Sequence, residues 1–159
     1  MTDVARRSHP GRDHGSPALG AATLFLSLLP AAAQAGAWAD FEARCLSALQ
    51  DFAAPVVARL GPGTAGGGVT RYALDGDRAL RVETAPAGGR IACAVRDPSG
   101  DAVPGFDAWV AEAVAAGRYV PVADGRWRSK GWIEPVLEVQ ETRTDAGLTL
   151  RILETNLEA

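Results

Sequence analysis

With 159 residues the chain has room for one domain, and its formal net charge of −3 argues against nucleic acid as the main partner, since phosphate recognition needs a basic footprint. Only 2 histidines and 2 cysteines are present, which narrows metal and nucleophilic chemistry before any motif is sought. The abundance of alanine and arginine is that of GC-rich bacterial coding and carries no functional reading of its own.

The first 35 residues read as an export signal. Arg6, Arg7 and Arg12 make a basic start, Ala18 to Leu29 is an uninterrupted small or apolar run, Pro30 breaks it, and Ala33-Gln34-Ala35 has the small-x-small form that signal peptidase accepts. Twelve residues cover roughly 18 Å as a helix, too short for a hydrocarbon core of ~30 Å. The Arg6-Arg7 pair lacks the apolar pair of a twin-arginine signal, because Ser8-His9-Pro10 follows it. Cleavage after Ala35 leaves 36–159 as one exported domain, periplasmic or secreted, with no membrane anchor. Both histidines leave with the signal, and the remainder carries 13 basic and 17 acidic residues, a net charge of −4.

Phe41, Cys45, Leu49, Phe52, Val56 and Leu60 recur every three or four residues and predict a helix capped by Asp40, which Pro55 either kinks or divides into a second short helix after Ala54. Gly61 to Gly68 follows as a flexible loop. Three strands come next: Val69 to Leu74, then Leu80-Val82-Thr84 on one face, then Ile91-Cys93-Val95 on the inner face of the third. Asp75-Gly76-Asp77 and Ala85 to Gly89 supply the turns, and Asp97-Pro98-Ser99-Gly100 closes the group. Phe106, Trp109, Val110, Ala113 and Val114 predict a second helix ended by Gly117. Beyond a basic, aromatic loop lie two more strands, with Ile133, Leu137 and Val139 facing one way, a hairpin at Thr144 to Gly147, and Leu148, Leu150 and Ile152 on the partner. The expectation is an α+β fold of order α-β-β-β-α-β-β, a single antiparallel sheet of about five strands with two helices packed on one face. No internal repeat is visible.

Cys45 and Cys93 both fall on inward faces of an exported chain, which predicts a disulfide worth roughly 4 kcal/mol in the chain-entropy model. That bridge consumes both thiols. With no histidine left, Ser-His-Asp and Cys-His catalysis and the common zinc sites drop out, and no cofactor or metal is expected. Gly61-Pro62-Gly63-Thr64-Ala65-Gly66 matches the dinucleotide fingerprint by letter, but a helix precedes it and a strand follows, the reverse of what pyrophosphate binding needs. Paired carboxylates are the one catalytic option left: Glu134, Glu138 and Glu141 near one strand, Glu154 and Glu158 near the other. Glu138 lies out of phase with Leu137 and Val139, so it should face away from the core as solvated surface.

One stretch stands out, Arg126-Trp127-Arg128-Ser129-Lys130-Gly131-Trp132, with three positive charges and two indoles in an otherwise acidic chain. Arginine grips carboxylate or phosphate and indole stacks on sugars or sits at an interface, so Arg126, Trp127, Arg128, Lys130 and Trp132 form the candidate surface for an anionic envelope component or an acidic protein. The opposing expectation is that the tryptophans serve the core. The function read from the sequence is a non-catalytic exported binding module; the alternative is a small carboxylate-dependent hydrolase acting on envelope material.

Overall fold

The computed structural model describes residues 36–87, 89–131 and 135–155. The stretch 1–35 expected from the sequence to be an export signal, with Ala33-Gln34-Ala35, lies outside them, as do Trp132, Ile133, Glu134 and Glu158. Alternation of apolar and polar residues builds one antiparallel sheet of eight strands, not about five: β1 (Thr64–Gly66), β2 (Val69–Ala73), β3 (Ala79–Thr84), β4 (Gly89–Asp97), β5 (Tyr119–Ala123), β6 (Arg126–Ser129), β7 (Val136–Thr144) and β8 (Gly147–Thr155). Their order across the sheet is β1-β2-β3-β4-β8-β7-β6-β5. Two four-stranded meanders therefore meet where β4 pairs with β8, and a helix precedes each meander in the chain. The topology repeats although the sequence does not.

Both segments that the sequence suggested as loops contribute the extra strands. Gly67 and Gly68 adopt positive φ and fold Thr64–Gly66 back on β2. Asp124-Gly125 turns the basic, aromatic stretch into the β5–β6 hairpin, with Gly125 at φ 63°. A side chain at Gly125 would bring its Cβ to 2.7 Å from the Glu141 carbonyl, so the turn needs glycine twice over.

The first helix, α1, covers 37–50 as an α-helical start Ala37–Phe41, a π-helical turn Glu42–Leu46 and an α-helical end Ser47–Gln50. It stops well before Leu60. Phe52 takes φ 56°, its N–H donates to Leu49 at 3.1 Å, and the Ala53 N–H donates to Ala48 at 2.8 Å, which caps the last carbonyls. Pro55 could not have continued the helix. Asp40 is not its N-cap, a position held by Gly36; it sits inside the first turn and binds Arg44 at 3.2 Å and Arg78 at 2.8 Å. The second helix, α2 (Val103–Ala115), starts from a buried carboxylate: Asp97 accepts from the Ser99 N–H and hydroxyl and from the Ala102 N–H. Burial pushes the Asp97 carboxyl up, and the hydrogen bonds from Ser99, Ala102 and Gly100 more than reverse this, leaving it below its ordinary range.

Both helices cover the same face of the sheet. Residues opposite one another in the register share a face, and Ala65, Thr70, Val82, Cys93, Ile152, Val139, Trp127 and Pro121 form one row across all eight strands. Cys45 of α1 is bonded to Cys93 in that row, with Cα atoms 5.3 Å apart. Phe106 of α2 meets Trp127 in the same row at 5.4 Å between rings. Trp38, Phe41, Phe106, Trp109, Tyr119 and Trp127 join into one aromatic cluster over this face. Gly105 lets α2 approach Trp38, whose ring would lie 2.5 Å from an added Cβ. No helix among the described residues is long and apolar enough to cross a membrane.

Candidate functional site

The candidate stretch becomes strand β6 and its exit, and strand alternation divides it between two faces. Trp127 points to the helices and packs on Phe106. Arg126 and Arg128 point to the other face. Lys130 lies past the strand end and lines a separate cleft. Trp132 is outside the described residues, so the structure brings together two of the five, Arg126 and Arg128.

What gathers around that pair was not anticipated. Register places Thr64, Arg71, Arg81, Ala94, Arg151, Gln140, Arg126 and Ala123 in one row, one residue from each strand. The neighbouring row holds Glu83, Ala92, Leu153, Glu138 and Arg128, and the row on the other side holds Arg96. Six of the arginines and two glutamates thus share the face turned away from the helices. No short motif marks them, because they come from six strands and span 80 residues of sequence; the available signal was an arginine out of phase with the core residues in strand after strand.

Glu138 is the anchor. It faces away from the helices as its phase predicted, yet it is only 2% exposed rather than solvated. Its Oε1 accepts from Arg126 Nε at 2.7 Å and Gln140 Nε2 at 2.8 Å, and its Oε2 accepts from Arg128 at 3.2 Å. Burial pushes this carboxyl up, but the hydrogen bonds from Gln140, Arg126 and Arg128 and the charge of Arg126 hold it below the usual carboxylate range. Arg151 then extends the network, donating to Gln140 at 3.1 Å and, over β4, to Glu83 at 3.0 Å. The β4 residues in its path are Ala92 and Ala94, small enough for an arginine stem to lie across them.

The resulting surface is an array of guanidinium groups, four of them held by ion pairs, carrying four more positive than negative charges. Over 36–159 the remaining positions hold 15 carboxylates against 7 basic side chains, so the chain is strongly polar in the electrical sense. No family model, curated protein or solved structure matches this chain. The chemistry has to be read from the geometry. Glu138, held ionised and acceptor-saturated, is a poor proton donor, and Glu141 is engaged by Arg143. Among the described residues no three His, Cys, Asp or Glu side chains converge as a metal site would require.

Proposed function

We propose that the chain is an exported, non-catalytic binding module that presents the arginine face of its sheet to an anionic component of the cell envelope. The observation that carries this reading is the segregation of six arginines and two glutamates onto the helix-free face. Arg71 and Arg96 are exposed, Arg126 is half exposed, and each leaves donors free for a carboxylate, phosphate or sulfate. Ion pairs with Glu83 and Glu138 fix the directions of Arg81, Arg126, Arg128 and Arg151, which lowers the ordering cost of capture. The hydrolase alternative is weaker, because the buried carboxylate of this face is locked as an anion by its arginines.

Ion-exchange chromatography tests the proposal. A domain of net charge −4 should be repelled by a sulfonate resin at pH 7, yet this one is expected to be retained at low salt and released as salt rises. Replacing Arg71, Arg96 and Arg126 together by Gln should send it into the flow-through while it stays folded, at a cost of about 1 kcal/mol from the lost Arg126–Glu138 pair. Flow-through of the wild type, or equal retention of the triple variant, would overturn the reading.

A further inference from the structure

Beside the end of α1, against β5, β6 and β7 on the helix side, is an open cleft of about 240 Å³. Its apolar wall comes from Phe52, Pro135 and Leu137, and its polar members are Gln50, Tyr119, Ser129 and Lys130. The hydrogen bonds of these groups leave donors to spare beside the Gln50 carbonyl. Gln50 Nε2 donates to the Tyr119 hydroxyl at 3.2 Å, and the Leu137 N–H donates to the Ser129 hydroxyl at 3.0 Å. Each hydroxyl has therefore used acceptor capacity and keeps its own hydrogen to give. Burial holds the Tyr119 phenol protonated by pushing its pKa up. Lys130 adds three donors and is exposed, with no ion pair among the described residues.

Phe52 is the second, independent observation. It occupies the left-handed position that ends α1, at φ 56°, where an L side chain is strained and glycine is the ordinary choice. The same chain ends α2 with the same pair of hydrogen bonds, Gly117 to Val114 and Arg118 to Ala113, and places glycine there, at φ 67°. At α1 the strained position instead carries a phenylalanine that is 54% exposed and borders the cleft. Neither backbone comfort nor core burial accounts for a phenylalanine in that place.

We propose that this cleft binds a small organic monocarboxylate, with its apolar body against Phe52, Pro135 and Leu137 and its carboxylate at Lys130, Ser129 and Tyr119. Two hydroxyl hydrogens and one ammonium group favour a head group rich in acceptors, and a single cation selects one negative charge over the two of a phosphate monoester. Size follows from volume: a cavity of about 150 Å³ accepts benzene, so this one takes on the order of ten non-hydrogen atoms, the size of octanoate. The site is distinct from the arginine face and stands or falls separately from it.

Isothermal titration with octanoate, and with octan-1-ol as the uncharged match, tests the assignment on the domain over 36–159 and on full-length chain. Octanoate should bind saturably at one site, and octan-1-ol at least tenfold more weakly. Lys130→Gln should weaken octanoate about tenfold and leave octan-1-ol unchanged. Phe52→Gly should weaken both about tenfold while the melting temperature stays level or rises, because the strained residue is gone. Absence of saturable octanoate binding would overturn the proposal, as would binding indifferent to both substitutions. So would a lower melting temperature in Phe52→Gly, which would make the ring a part of the fold.

Discussion

Glu138 shows how a single side chain can be misjudged from its position in a strand. Its phase places it off the core side, and exposed strand carboxylates are normally solvated, but Arg126, Arg128 and Gln140 close over it from the neighbouring strand and its own. Because its folded pKa is held below the ordinary 4.5, its ionised form favours the folded state. That contribution is fully present above about pH 5 and is lost as the pH falls through 4.5 toward the folded value. Glu138→Gln should cost about 1 kcal/mol at pH 7, a modest figure because the arginines are partly exposed. Thermal melts from pH 7 to pH 3 check it: the gap between wild type and variant should shrink over that interval, and a constant gap would count against the ionic account. Asp97 adds to the acid sensitivity of the wild type in the same sense, its carboxylate holding the start of α2.

At the level of elements, the β5–β6 hairpin decides what the basic, aromatic stretch does. Its turn pair, Asp124-Gly125, stands between alternating Val120 and Val122 on one side and Arg126, Trp127 and Arg128 on the other, a hairpin pattern that the loop reading of this stretch passes over. Pro121 obscured it, since proline has no N–H for a ladder, and it is tolerated because β5 is the edge of the sheet. Once the hairpin forms, alternation sends the indole and the guanidinium groups to opposite faces. Trp127→Ala should therefore cost roughly 3 kcal/mol through lost contact with Phe106 and its neighbours, whereas Arg128→Gln should cost less than about 1 kcal/mol. Urea unfolding of the two variants checks the contrast. Equal effects would mean that the hairpin does not hold Trp127 in the core.

Over the whole molecule, two helix-plus-meander halves share one sheet, and their junction is the β4–β8 pair. The Cys45–Cys93 disulfide ties α1 to β4 beside that junction, with both residues fully buried. It closes a long stretch of chain, with a sequence separation of 48, so its loss should act mainly by freeing the unfolded state. Cys93→Ser should lower the unfolding free energy by about 4 kcal/mol, read from chemical denaturation, with little change in the folded far-ultraviolet circular dichroism. A loss below about 1 kcal/mol would show that the bridge adds little constraint. The same sheet separates charge: one face is covered by helices and aromatic rings, and the other collects the arginines.

Local pattern by itself determined the α+β class, the two helices, the inward faces of β3, β4 and β8, and the cysteine pair, because each depends on periodicity within one segment or on a count of two. Leu80 and Val82, Cys93 and Val95, and Leu148, Leu150 and Ile152 are spaced by two and needed no knowledge of their neighbours. Tertiary structure alone decided which residues from distant strands became neighbours. The row from Arg71 to Arg126, the burial of Glu138, and the cleft between the end of α1 and the far meander all depend on strand order and register, and these are set by how two whole meanders pack under one pair of helices.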